Sequence, residues 1–398
     1  MKSIKYNSSQ GYFTHGRSKI ASVYFFVSVI SRIKDFRRPK GKQYQIDFLL
    51  FCLLLTELKN CHRQRQRHRW LRGNWSWITE VWFSVTKCSV PKSVPSQSTL
   101  SRLMEHVDFY YLKEQFFRKL IEHNKNNSSG TKQKHYAIDG KSRKGIVSSE
   151  TGRTEIDLTI WDVDSKQVIS SQTLHDKQGE STSATYLLKK LGKELEPGIF
   201  TGDAGFTSPN FISSIISAGH DYIIGFKSNA GLAYDACVNL PWNKAPILDE
   251  SFNKGHGREE IRIIKRLYMN PKIEKIFEKY KNVLYFYQIT SKVKRYGKWT
   301  EEIRYYIGSS GLKGLSMEEI QKIIRSHWGQ ENNLHWVKDT ILNEDNLPKM
   351  GNRSSRLLGF LKNIVVSIGN IVFSSVQEFI DVFDAEPERM TRELFGLK

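Results

Sequence analysis

Apolar and polar positions along the chain fall into three successive patterns. The first, to about residue 130, is helical. Ile46 to Leu58 is an apolar run long enough for a buried helix. Pro91 and Pro95 break the pattern, and Ser98 or Thr99 then stands where it can cap a helix through Leu103, Met104, Val107 and Tyr110. The polar segment His123 to Lys134, rich in Asn, Ser and Gly, reads as a linker.

The second pattern has strand periodicity. Tyr136 to Ile138 is a short β-prone run ending at Asp139-Gly140, Glu155 to Val163 alternates, and Val168 to Leu174 comes after a polar turn. Helical spacing at Ser183 to Leu195 and Asn210 to Ala218 alternates with short strands at Ile199 to Thr201 and Tyr222 to Phe226. This order predicts a mixed α/β sheet flanked by helices. Between Lys227 and Gly308 the chain becomes β-rich, with strands at Ile261 to Tyr268, Val283 to Thr290 and Ile303 to Ile307. From Ser316, which opens a capping box with Glu319, it is helical again, and Arg356 to Phe379 reads as packing helices.

Composition narrows the function. Lys and Arg number 61 against 41 Asp and Glu, a net charge of +20. The excess is clumped: Lys34, Arg37, Arg38, Lys40 and Lys42 form one group, and Arg63, Arg65, Arg67, Arg69 and Arg72, interleaved with His62, His68 and Trp70, form another. Phosphate is the natural counter-charge for such clusters, which points to nucleic acid. Four scattered cysteines with no CxxC pair argue against a disulfide scaffold or structural zinc. The longest apolar runs picked out, Val23 to Ile30 and Phe48 to Leu55, fall short of the roughly 18–20 residues of a membrane span. A soluble cytoplasmic protein, not associated with membrane, is expected.

Candidate chemistry lies in three carboxylates. Asp139 and Asp203 each stand at the end of an expected strand beside glycine, where a rigid element can hold a carboxylate open to ligands. Glu331 occupies a helical segment on which His327, Glu331, His335 and Lys338 or Asp339 share a face. Three hard oxygen donors suit Mg²⁺ or Mn²⁺. The HExxH order of a zinc helix is absent. Trp328 and Trp336, flanking Glu331, are expected to pack that helix into the core.

In this order the segments resemble a DDE transposase of bacterial insertion sequences, the H-repeat-associated type. The matching stretches are Lys34-Asp35-Phe36-Arg37-Arg38 with Gly41-Lys42, Ile138-Asp139-Gly140-Lys141, Asp203-Ala204, Asp221-Tyr222 and Lys227-Ser228-Asn229. Next come Gly255-His256-Gly257-Arg258 with Glu260 and Arg262, then His327-Trp328-Gly329, Glu331-Asn332, Leu334-His335-Trp336 and Glu344-Asp345. Coverage runs from about residue 26 to about 365. Ile324 and His327 replace the Tyr and Arg of a motif common in the wider cut-and-paste group, whereas Glu331 and Lys338 keep its later part. Thr207, Ser208 and Ala230 stand at or near places often held by Gln.

The resemblance implies an RNase H-like core with Asp139, Asp203 and Glu331 as catalytic metal ligands. It implies a helical amino-terminal DNA-binding region with linker (1–130), a first part of the core (131–227), a β-rich insertion (228–308), and a helix carrying Glu331 followed by C-terminal helices (309–398). Such enzymes bind the inverted repeats of their element as dimers on paired ends, nick there and join the 3′-OH to target DNA. Candidate DNA contacts are Lys141, Lys227, His256, Arg258, Lys338, Arg63, Arg65, Arg67 and Arg69, with His327 contacting phosphate when protonated. The rival readings are a catalytically inactive element-derived DNA-binding protein and a nuclease that cuts without joining.

Overall fold

The computed structural model describes residues 21–38, 42–126, 133–147, 152, 154–174, 179–255, 258–347 and 351–397. Six helices lead: α1 (Ala21–Ile30), α2 (Ile46–Leu58), α3 (Gln64–Gly73), α4 (Trp75–Thr86), α5 (Gln97–His106) and α6 (Phe109–Asn126). Strands β1 (Lys134–Val147), β2 (Thr154–Asp162) and β3 (Gln167–Leu174) come next, then α7 (Glu180–Leu191), β4 (Gly198–Gly202), α8 (Pro209–Ser217), β5 (Asp221–Phe226) and α9 (Leu232–Val238). The remainder is β6 (Ile247–Gly255), β7 (Arg258–Tyr268), α10 (Glu274–Phe277), β8 (Val283–Arg295), β9 (Lys298–Ser309), α11 (Met317–Ser326), α12 (Trp336–Thr340), α13 (Asn352–Val372), α14 (Val376–Ala385) and α15 (Pro387–Leu394).

The nine strands among the described residues belong to one mixed sheet, in the order β3-β2-β1-β4-β5-β9-β8-β7-β6, flanked by helices. Strands β3, β2 and β1 are antiparallel, while β1, β4 and β5 are parallel, the arrangement of an RNase H-like core. Strand β9 pairs antiparallel with β5, so the β-rich residues after Lys227 extend the core sheet directly. The parallel register decides where chemistry can occur. Ile138 pairs with Gly202, which sets Asp139 and Asp203 at the same level on neighbouring strands. Ligands meet such sheets at the carboxyl ends of their parallel strands.

Two apolar helices anchor the helical layer. Every residue of α2 except Asp47 is buried, consistent with a run that is apolar all round. Helix α13 is buried along most of its length and packs against β3. By length and composition it could cross a membrane, unlike the shorter runs at 23–30 and 48–55, but 78% of its apolar window is buried inside the fold. Its Lys362 is buried 3.3 Å from Glu57 of α2, which also binds Arg67 of α3. Burial opposes the Glu57 charge, yet Lys362 and Arg67 outweigh it and hold the carboxyl below its ordinary value.

Several local expectations shift. The cap of α5 is Ser96, whose Oγ accepts the Thr99 N–H, because the chain turns directly after Pro95. Residues 123–126 continue α6 rather than forming a linker, and 127–132 lie outside the described residues. Asp139 lies within β1, which continues to Val147 through its pairing with β2, whereas Asp203 does stand just past the end of its strand.

The arginine run divides by helical geometry. Arg65, Arg69 and Arg72 of α3 form an exposed stripe, with Arg63 exposed at its start, while Arg67 points inward to Glu57 and is unavailable to phosphate. Arg67→Ala therefore removes a partner of a buried charge and should destabilise the fold by about 3–5 kcal/mol. Arg65→Ala and Arg69→Ala should stay within about 0.5 kcal/mol of the parent. Urea unfolding measures both; equal midpoints for all three variants would refute the inward placement.

Candidate active site

Asp139, Asp203 and Glu331 line one cavity of about 440 Å³, together with Lys227, Arg304 and His327. Each arrives by a different local device. Asp139 rides on β1, its Oδ1 accepting the Gly140 N–H at 2.8 Å. A Cβ at residue 140 would lie 2.5 Å from Glu180 Oε1, so a larger residue there would have to turn that flexible side chain aside. Asp203 caps the short turn after β4 by accepting the Gly205 N–H at 2.7 Å. That turn is held from β5: Thr207 Oγ1 lies 2.8 Å from the Ala204 carbonyl and 2.7 Å from the Gly225 carbonyl, its one proton shared between them, and Asn229 Nδ2 donates to the Ala204 carbonyl. Gly225 permits the close approach, since a Cβ would sit 3.0 Å from the Ala204 nitrogen.

Glu331 opens a π-helical turn, Glu331–His335, closed by the Trp336 N–H donating to the Glu331 carbonyl. His335 Nδ1 lies 3.0 Å from Glu331 Oε2 and 3.5 Å from Asp139 Oδ2, linking helix to sheet. The ligand atoms of Asp139, Glu331 and His335 all fall within 4.8 Å of one another. Burial raises the Asp139 pKa, and the charges of Asp203 and Glu331 add to that rise against the opposing pull of His335. The hydrogen bond from His335 lowers that of Glu331. Three carboxylates crowding one cleft leave a deficit of positive charge, and their hard oxygens match a small divalent cation. The donor set therefore fits Mg²⁺ or Mn²⁺, with His335 beside it.

The other expected contacts divide. Lys227 is exposed on the cavity wall, and Arg258 is exposed at the start of β7, 3.6 Å from Glu260. His256 lies outside the described residues, as does Lys40 of the first basic group. Elsewhere in that group, Arg37 and Lys42 pair with Asp35. Lys141 and Lys338 are buried and cannot reach phosphate. Lys141 pairs with Asp339 at 2.6 Å and Glu344 at 3.2 Å, and Lys338 pairs with Asp157 at 3.0 Å and Glu344 at 3.4 Å. The π turn explains Lys338: its extra residue rotates the downstream helix by about 100°, taking the lysine off the Glu331 face.

His327 is also corrected. Burial pushes its pKa down to about 4, so it is neutral near pH 7 and brings no positive charge to phosphate. Its Nδ1 instead lies 3.2 Å from Thr201 Oγ1, which lies 2.8 Å from His135 Nε2, whose Nδ1 in turn lies 3.1 Å from Ser326 Oγ. This chain fastens the end of α11 to β1 and β4. Trp328 and Trp336 are exposed rather than packed in the core, and Arg304 lies 4.6 Å over the Trp328 ring.

The sequence assigns no role to the residues that anchor the site, although Glu344-Asp345 is one of its matching stretches. Gln330 is buried and donates to Thr159 Oγ1 at 2.8 Å. Glu344, on a short turn after α12, collects Lys141, Lys338 and Arg143. Only the i, i+4 spacing of Glu331 and His335 signalled part of this arrangement, whose other members lie far apart in sequence.

A family model described as "Transposase DDE domain" matches residues 158–368, which include Asp203 and Glu331. A second, described as "DDE_Tnp_1-associated", matches residues 27–119. Among similar proteins, YbfL of Escherichia coli K12 is 26% identical over 290 residues, 69% of this chain and 73% of that protein. YhhI of the same strain, H repeat-associated and with transposase in its name, is 28% identical over 247 residues, 58% of this chain and 63% of that protein. YncI of Escherichia coli O157:H7, also with transposase in its name, is 25% identical over 363 residues, 86% of each chain. The structure is also similar to the piggyBac transposase synaptic complex with hairpin DNA, with a TM-score of 0.44 at 13% identity, covering 97% of this chain and 79% of that one.

Glu344 is the residue on which the anchoring turns. Burial would raise its pKa, but Lys338, Arg143 and Lys141 hold it well below the ordinary 4.5. A depressed carboxylate contributes stability that is complete above its unfolded pKa and is lost as pH falls through the folded one. Glu344→Gln should cost about 3 kcal/mol at pH 7, by leaving buried cations undercompensated. The deficit should shrink below about pH 4.5. Urea midpoints at pH 7 and pH 4 test this; a variant as stable as the parent at pH 7 would contradict it.

Proposed function

Since the chain belongs to the DDE transposase family, we propose that it cleaves phosphodiester bonds at the ends of an insertion sequence and joins the freed 3′-OH to target DNA. The observation that carries this reading is the meeting of Asp139, Asp203 and Glu331 in one cavity from two strands and a helix. These three residues would hold two divalent cations, Mg²⁺ or Mn²⁺, beside His335. When bound, the cations supply the charge that activates water or a 3′-hydroxyl and steadies the leaving oxygen.

The chain's own residues have separable tasks. His335 orients Glu331 toward Asp139 through its 3.0 Å contact. Thr207 and Asn229 fix the turn that presents Asp203. Lys227 lies where it can meet a phosphate entering the cavity. The exposed stripe Arg65, Arg69 and Arg72 meets the DNA backbone without reading bases, which suits grip on element ends by the amino-terminal helices. Two copies acting on paired ends complete the reading.

Asp203→Ala and Asp139→Ala should each abolish end cleavage while leaving DNA binding intact. Loss of several kcal/mol of transition-state stabilisation corresponds to three or more powers of ten in rate. Strand cleavage and joining are followed on labelled duplexes carrying the inverted repeats, with Mg²⁺ or Mn²⁺. Cutting by purified Asp203→Ala at the parent's rate would overturn the catalytic assignment, and cutting without joined product would mark a nuclease.

A further inference from the structure

The β8–β9 hairpin ends in a two-residue turn, Tyr296-Gly297, with φ of 49° and 78°. Two successive positive φ values make a hairpin turn whose first position favours Asn, Asp or Gly. A bulky aromatic residue there is strained, and Tyr296 recovers nothing by packing because its side chain is fully exposed. Just below the turn, Arg295 faces Lys298 on one side and Arg258 of β7 on the other, so three cations stand in register across three strands. Like charges directly opposite each other destabilise a sheet. The neighbouring carboxylates are engaged nearby: Glu259 with Lys254 and Lys294, Glu260 with Arg258 and Arg262. Trp299, half exposed, lies under Lys294 at 5.8 Å.

We propose that this hairpin tip is a second DNA-contacting element, with Arg295 and Lys298 meeting backbone phosphates and Tyr296 lying against the duplex. The inference rests on the reading of DNA as substrate and adds the place where that substrate is gripped beyond the catalytic cleft. A polyanion neutralises Arg295 and Lys298, which have no ion pair among the described residues while Arg258 is held by Glu260, and an exposed tyrosine offers a flat apolar face to sugars or bases. Strand β9 connects the two places, since Glu302 to Tyr306, further along it, line the catalytic cavity. Four to eight residues at about 3.3 Å each separate tip and cavity by about 13–26 Å. At about 3.4 Å per base pair, the hairpin therefore meets the duplex about four to eight base pairs from the phosphate being cut.

The test uses the full chain and a fluorescent mixed-sequence DNA duplex, without divalent cation, so binding is separated from cleavage. The double variant Arg295→Gln/Lys298→Gln should melt at or above the parent's temperature and lower the salt slope of binding by about two. Tyr296→Asn, which suits the turn better, should also melt no lower and bind the duplex several-fold more weakly. An unchanged salt slope in the double variant, or melting well below the parent, would overturn the proposal, the latter by showing that the residues serve the fold. Failure here would leave Asp139, Asp203 and Glu331 untouched, and failure of the Asp203→Ala test would leave the hairpin's grip standing.

Discussion

A buried cage of opposite charges joins the segment that carries Glu331 to the central sheet. Lys338 reaches Asp157 on β2, Lys141 on β1 reaches Asp339, and Glu344 stands among Lys141, Lys338 and Arg143. Gln330 adds a hydrogen bond to Thr159 of β2. Ions buried in this way are costly to desolvate, and the arrangement holds because each charge has opposite neighbours. Its consequence is positional. The cage grips the chain on both sides of Glu331, so an exposed carboxylate is presented toward Asp139 from a turn anchored at each end.

This division of charge changes what a net +20 means. Part of the excess is internal mortar: Arg67 and Lys362 close on Glu57, and Lys141, Arg143 and Lys338 close on Glu344. The surface share includes the stripe on α3 and exposed cations of the outer strands. Clustering in sequence does not separate these classes, because one helix sends Arg65 and Arg69 outward and Arg67 inward. Burial decides which cations meet phosphate.

The sheet and its helices were legible from periodicity and turn residues, since alternation at 155–163 and the short runs at 199–201 and 222–226 need only local information. The three candidate carboxylates, each flanked by matching residues in the sequence, line one cavity. The features that could not be read depended on contacts far apart in the chain. Lys338 sits at helical spacing from Glu331, but a π turn, invisible to a 3.6-residue count, rotates it into the core. His327 resembles a substitute for a phosphate-binding arginine until the buried chain through Thr201 and His135 is seen. The uninterrupted passage from core to β-rich region likewise depends on β5 pairing with β9, some eighty residues later in sequence.

The central claim is that three distant carboxylates together make the site for the divalent cations, with the helix held in place beforehand by internal ion pairs. It is tested most directly by the anomalous scattering of crystals of the full chain grown with Mn²⁺. Density bounded by Asp139, Asp203 and Glu331, with the Lys338–Asp157 and Lys141–Asp339 contacts intact, is the predicted result. Density elsewhere, or Glu331 turned away from the aspartates while those contacts persist, would contradict it.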